Sequence, residues 1–268
     1  MAFTTFLIHL AVLCTALKNL HGEPLAGVAV AKVEENEFNA AASIVYLDPT
    51  SPVNDRHFCS GTLISPKHIL TSHHCTIKKN PKNIAIFLGS PDVKWHRQYH
   101  ADKIIAYNFW FHKKYNKLQD LDIYDASIIT LKEEVNPEDV KPVTIRYDSY
   151  ENLKESGAVV MGWSSPQSDK KLEELKKASV TFINEKECQK LTVLKFPGEK
   201  KILCSIATPP VGIKVDDRGG PLLDLKKRLI GINLAVSLTK QGNPDYVVHV
   251  HSNVRYFQEF INEIINSP

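Results

Sequence analysis

The sequence predicts an all-β domain, an antiparallel barrel or sandwich, on three observations. Short runs rich in Val, Ile, Leu and Thr recur at 42–47, 61–64, 68–72, 84–88, 103–107, 126–131, 158–163, 178–183, 228–236 and 246–250. Turn-forming residues separate them, for instance at Ser51-Pro52 and Thr208-Pro209-Pro210, as in all-β folds. No internal repeat, low-complexity segment or long Pro/Gly/Ser linker divides the 268 residues, although length alone leaves one large or two small β domains open.

The N-terminus reads as an export leader. Residues 6–17 are largely apolar and carry no charge, and the run is shorter than the roughly 20 residues needed to span a bilayer. No Lys or Arg precedes it and no clean small-x-small site follows, so cleavage is expected after Ala16 or after Gly22. That gives a leader over 1–16, a short segment over 17–27 and the main domain over 28–268. The mature chain is expected to be soluble, secreted and extracellular.

Cysteine usage agrees with export. Cys14 leaves with the leader, and Cys59, Cys75, Cys188 and Cys204 remain. Of the three pairings open to them, two local bridges, Cys59–Cys75 and Cys188–Cys204, are the natural one. Each closes a loop of about 16 residues and contributes about 3 kcal/mol. No CxxC or CxxH spacing supports a metal site, and no cofactor is expected. The formal charge of +3 and pI near 8.4 are too mild to argue for nucleic acid or an anionic membrane. Lys170-Lys171 and Lys176-Lys177 flank Glu173-Glu174, which reads as a solvated face, and Lys226-Lys227-Arg228 is similar.

One segment carries helical periodicity. From 253 to 265, Val254, Phe257, Phe260, Ile261, Ile264 and Ile265 recur at three- and four-residue spacing, with Ser252 as the expected N-cap. Its apolar face is expected to pack on the β body.

Four stretches then fall into one order. Phe58-Cys59-Ser60-Gly61-Thr62-Leu63-Ile64-Ser65-Pro66, followed by Leu70-Thr71-Ser72-His73-His74-Cys75, resembles the catalytic-histidine segment of chymotrypsin/trypsin-like serine proteases. In that family the histidine directly precedes a bridged cysteine, which selects His74 rather than His73. Tyr124-Asp125-Ala126-Ser127-Ile128-Ile129-Thr130-Leu131 resembles the aspartate and its apolar strand, and Gly162-Trp163 the family's Gly-Trp turn. Asp217-Arg218-Gly219-Gly220-Pro221-Leu222 resembles the nucleophile loop, with Arg218 where the serine is expected. The resemblance runs from about Val28 to the C-terminal helix. It implies two packed six-stranded antiparallel β-barrels with a cleft between them.

The same resemblance implies lost chemistry. A guanidinium is a permanent cation with donors only and cannot attack a carbonyl. Asp216 stands at the oxyanion-hole glycine, where a carboxylate repels developing negative charge. The family's substrate pocket maps onto Lys214, Leu234, Ala235, Val236 and Asp245, with Gly212 or Ile213 at its base. Lys214 replaces a bridging cysteine, and Val236 and Asp245 put side chains where the family leaves open space. The activation segment reads Ala26-Gly27-Val28-Ala29-Val30-Ala31, without a preceding basic residue, so Asp217 is expected to lack its usual amine partner. Arg218 is expected to pair with Asp125, Asp216, Asp217 or Asp245, and His74 and Asp125 to persist as a buried hydrogen-bonded pair.

The expected function is therefore that of a secreted, monomeric, non-catalytic homologue that binds another protein through its surface loops. The proline-containing stretch 48–56 is the first such loop to examine. The chain also resembles mite trypsin homologues whose inactivated paralogues interfere with host complement, which implies partners in host complement or other immune cascades. The alternative is a hydrolase with altered, non-serine chemistry built on His74 and Asp125.

Overall fold

A computed structural model describes residues 31–47, 50, 56–92, 97–115, 124–154, 156–163, 174–192, 201–207, 215–237 and 247–267, with backbone alone at 115, 215 and 235–237. The expected leader, the segment 17–27, most of loop 48–56, and Gly212, Ile213, Lys214 and Asp245 lie outside the described residues.

Strands β2 (Ala41–Tyr46), β3 (His57–Ser65), β4 (His68–Thr71), β5 (Ile84–Leu88), β6 (Arg97–Ala106) and β7 (Ser127–Leu131) close a barrel in the order β2-β3-β4-β7-β6-β5. Every pairing in it is antiparallel. β5 shows why its sequence is apolar at every position. Ile84, Ile86 and Leu88 enter the main core, while Ala85 and Phe87 pack with Val45 on the other face.

A second sheet holds β1 (Ala31–Lys32), β8 (Ala158–Gly162), β9 (Lys176–Ile183), β10 (Ile202–Ala207), β11 (Pro221–Asp224), β12 (Leu229–Ser237) and β13 (Val247–Asn253). Its order is β1-β9-β10-β13-β12-β11-β8, and pairing of β8 with β9 closes six of the strands into a second barrel, leaving β1 as an added edge. β9 alternates, with Ala178, Val180 and Phe182 inward and Ser179 and Thr181 exposed. The expected pair of six-stranded antiparallel barrels is thus the architecture of the chain.

The barrels share one core. Met161, Trp163, Leu223, Leu229 and Ile232 of the second pack in the same buried cluster as Ile69, Leu70, Ile86 and Ile128 of the first. The C-terminal helix also crosses over. Its first turn is a 3-10 turn, Val254–Phe257, followed by an α-helix, Gln258–Ile265, whose Phe260 and Ile261 are buried in that cluster. The expected cap is corrected: Asn253, not Ser252, accepts from the Arg255 amide at 3.0 Å. Ser252 belongs to β13, and its hydroxyl reaches the Asp125 carbonyl at 3.5 Å.

Helix α1 (Tyr107–Tyr115) takes the place of the expected end of a strand at Tyr107. The Tyr107 ring lies 5.5 Å from Tyr124, 4.9 Å from Phe257 and 5.5 Å from Phe260, so tertiary aromatic packing sets the turn there. Among the described residues, α2 (Tyr150–Leu153) and α3 (Glu185–Leu191) are the other α-helices before the C-terminal one, α4 (Gln258–Ile265). Asn184 caps α3 through the Glu187 amide at 2.9 Å, with Glu185 and Glu187 in the positive first turn. Cys188 of α3 bridges to Cys204 of β10, and Cys59 of β3 bridges to Cys75 after β4.

The second barrel buries a neutral histidine. His251 Nδ1–H donates to Asn233 Oδ1 (3.1 Å), and its Nε2 accepts from Ser205 Oγ (2.9 Å). The parallel His249 ring lies 6.1 Å away. Burial, then the neighbouring His249, holds His251 well below the usual histidine range, and burial also lowers His68 and His73. With folded pKa values below the unfolded one, the unfolded chain binds more protons once pH falls beneath about 6.5. Stability is therefore expected to hold near neutrality and to fall below about pH 6.5, by up to about 1.4 kcal/mol per pH unit per histidine. Melting temperatures from about pH 7.5 to 5 check this, and a flat profile overturns it.

Candidate functional site

The register places the site. Thr71 at the end of β4 pairs with Ser127 at the start of β7, so the residues just beyond them, Ser72 and Asp125, meet. A 3-10 turn over His73–Cys75 follows, and Ser72 caps it by accepting from the His74 amide. The Cys59–Cys75 disulfide ties the turn to β3.

Asp125 is fully buried and accepts three hydrogen bonds. Its Oδ1 accepts from the His74 amide at 2.8 Å and from His74 Nδ1–H at 2.9 Å, and its Oδ2 accepts from the Ser72 hydroxyl. It is His74, not His73, that meets the carboxylate. His73 Nδ1 lies 3.3 Å from Ser127 Oγ instead. The pair is not buried as a whole: the His74 side chain is 36% exposed. Ser72 is the residue that motif reasoning passed over, although a serine directly before a tight turn is a legible cap signal.

The turn carrying Arg218 packs against the same strand ends. It follows a 3-10 turn, Val215–Asp217, and precedes β11. The Ser60 amide donates to the Arg218 carbonyl at 2.8 Å, and the Gly219 amide to the Asn233 carbonyl at 2.8 Å. A Cβ on Gly219 would lie 2.2 Å from Thr71 Oγ1 and 3.0 Å from the Ser72 amide nitrogen. His74, Asp125 and Arg218 thus converge, because the turn closes directly on Thr71 and Ser72. Asp217 is buried, and its carboxylate carbon lies 2.3 Å from where a Cβ on Gly162 would stand. This is the physical reason for glycine in the Gly162-Trp163 pair.

The two barrels are also latched beside this turn. His57 Nε2–H donates to the Asp216 carbonyl at 2.9 Å, which leaves Nδ1 to accept from Ser43 Oγ at 2.7 Å. Ser60 Oγ adds a longer bond to the same carbonyl, at 3.3 Å. Asp216 itself is exposed.

The expected carboxylate pair at Arg218 does not form. Arg218 Nε donates to the Leu234 carbonyl at 2.8 Å, and the guanidinium makes no ion pair among the described residues. Asp125 already accepts three hydrogen bonds from Ser72 and His74, and Asp216 is exposed. Leu234 is buried in β12, and the side chains of Ala235 and Val236 are not among those described. With one neutral acceptor, Arg218→Ala is expected to change stability by no more than about 1 kcal/mol, rather than the several expected for an ion pair. A melting-temperature loss near that of a core truncation overturns this.

Among the described residues no group of three or more His, Cys, Asp or Glu is arranged to hold a metal, and no helix is long and apolar enough to cross a membrane.

The sequence and the two-barrel fold are similar to those of known proteins. A trypsin of Saccharopolyspora erythraea is 23% identical over 214 residues, covering 79% of this chain and 88% of that protein. Venom serine protease 34 of Apis mellifera is 25% identical over 187 residues, covering 66% of this chain and 45% of that protein. Two solved structures share the fold: mouse neuropsin, a serine protease expressed in the limbic system, at a TM-score of 0.68 and 19% identity, and the VesB protease of Vibrio cholerae at 0.68 and 18%. They cover 88% and 89% of this chain, which in turn covers 99% and 68% of theirs. A family model described as Trypsin matches residues 30–261, and the chain belongs to the trypsin family.

Proposed function

We propose that this trypsin-family chain is an extracellular, non-catalytic member that acts by binding another protein. The observation that carries the reading is Arg218 in the turn that closes on Thr71 and Ser72, where a nucleophile would have to stand to reach His74. Its side chain is a cation holding the Leu234 carbonyl and offers no atom that a base can turn into a nucleophile. Nearby hydroxyls do not substitute for it. Ser72 donates to Asp125, Thr71 Oγ1 to the Ser60 carbonyl at 2.7 Å, and Ser60 Oγ to the Asp216 carbonyl, and all three residues are buried. Two disulfides support an extracellular setting, as does the resemblance to a venom protease. The likeness to mite paralogues supports partners in a host proteolytic cascade such as complement, met by the chain as a monomer without a cofactor.

The purified mature chain is expected to resist labelling by a fluorophosphonate probe and to leave a peptide library uncut. Arg218→Ser is expected to remain inactive as well, because the Asp216 carboxylate would oppose charge developing at the oxyanion position, where a single donor is worth about 10²–10³ in rate, and the substrate pocket is also altered. Turnover by the wild-type chain overturns the proposal, and turnover by Arg218→Ser shows that one residue alone silences the site.

The intact His74–Asp125 pair, with a third of the histidine side chain exposed, favours one second reading: hydrolysis by a histidine-activated water on a non-peptide substrate. Turnover of an ester panel that is lost in His74→Ala selects it.

A further inference from the structure

The second barrel carries a cavity of about 390 Å³ on its outer face, apart from the cleft. Strand register builds its floor. Leu223 of β11 pairs with Val159 of β8, which pairs with Ser179 of β9. In the next row Met161 pairs with Lys177, which pairs with Ala31 of β1. These side chains face away from the barrel interior, which Ala158, Val160, Leu222 and Val180 fill. The turn between β11 and β12 supplies one wall through Leu225, 61% exposed and packed toward Gly157, and the segment after β1 supplies the other through Glu37.

Charge at the rim is unbalanced in one sense. Glu37 is taken by Lys177, at 2.5 Å and 2.6 Å, and by the Glu34 amide at 3.1 Å. Asp224 is taken by Arg228 at 2.7 Å and Arg146 at 3.2 Å. Lys227 differs: its ammonium donates to the Glu37 carbonyl at 3.0 Å and forms no ion pair among the described residues, its charge acting on the Glu37 carboxylate, already held by Lys177, only as a lesser influence. Its backbone is held in the left-handed region at φ 60°, with its amide on the Asp224 carbonyl at 2.9 Å, which places the residue beside the cavity.

We infer that this cavity binds a small amphiphile with an anionic head, a medium-chain carboxylate. The chain would lie on Val159 and Leu225, over a floor closed beneath by buried Met161 and Leu223, with the head on Lys227. The volume falls at the lower end of the range for small-molecule sites, and an apolar floor with one placed polar anchor is their usual composition. A carboxylate satisfies the two ammonium donors that the Glu37 carbonyl leaves over.

The test is calorimetric titration of the full mature chain with octanoate, decanoate and decanol. Affinity is expected to rise about fourfold per methylene, and decanoate to bind at least about tenfold more tightly than decanol. Lys227→Asn keeps a residue that tolerates positive φ and should remove that preference while leaving decanol binding unchanged. Ser179→Phe, at an exposed strand position on the floor, should abolish binding of both, with an unchanged far-UV spectrum showing that the variant is folded. The inference is overturned by decanoate binding that neither variant alters, or by no saturable binding below about 1 mM. It is equally overturned by concentration-dependent self-association that Ser179→Phe removes, which makes the cavity a seat for a second copy.

Discussion

Gly219→Ala is expected to destabilise the chain by about 4 kcal/mol or more and to lower the melting temperature by roughly 10 °C. Two independent effects add. Gly219 has φ +84°, a conformation that costs an L-residue about 1–2 kcal/mol. Its Cβ would also stand 2.2 Å from Thr71 Oγ1 and 2.3 Å from the Ser60 carbonyl oxygen, and the second of these is backbone that cannot rotate away. Relief requires the turn to back off from the first barrel, which breaks the Ser60–Arg218 and Gly219–Asn233 backbone bonds. Gly157→Ala is the control. It has φ +62° but meets only Leu225, at 3.7 Å, so it should cost about 1 kcal/mol. A loss at Gly219 no larger than at Gly157 would refute the argument. A consequence is that glycine is needed here for packing of the two barrels, whether or not the turn carries chemistry.

Asp125→Ala is the second large effect, expected at about 3–5 kcal/mol. The carboxylate is fully buried and holds the Ser72 hydroxyl, the His74 amide and His74 Nδ1–H; truncation removes the acceptor of all three, leaving the amide only its longer bond to Ser72 Oγ at 3.2 Å. Asp125→Asn keeps one acceptor oxygen and should lose less. His74→Ala should cost only about 1–2 kcal/mol, since Asp125 then retains Ser72 and the amide, and the lost ring is partly exposed. Hydrogen exchange at the His74 amide should rise in Asp125→Ala. Equal losses at the two positions would show that the ring, not the turn, is what the carboxylate supports. This ordering gives the pair a structural reason to persist that does not depend on proteolysis: Asp125 closes the His73–Cys75 turn that the Cys59–Cys75 disulfide anchors.

Much of this was legible without coordinates, and the misses have physical causes. The order of His74, Asp125, Gly162-Trp163 and the Asp217–Gly220 turn is a linear pattern, and apolar strands such as 84–88 announce themselves by composition. The strand expected at 103–107 ends at Ala106 because Tyr107, despite its high β propensity, packs on Phe257 and Phe260, 150 and more residues away. β1 is two residues long and β11 opens on proline, so neither carries a periodic signal. The cap of the C-terminal helix slipped by one residue because Ser252 and Asn253 are both good caps, and β13 continues through Asn253.

The sequence by itself determined the fold class, the family resemblance and the identity of the residue between Asp217 and Gly219, since these depend on residue type and order. Only the tertiary structure decided what Arg218 holds. Buried Asp125 is held by Ser72 and His74 through the Thr71–Ser127 register, and the guanidinium donates to the Leu234 carbonyl. The same holds for the cavity under Lys227. Its floor is a grid of alternate residues from β1, β8, β9 and β11 that no linear motif records, because residues far apart in the chain become neighbours only when the barrel closes.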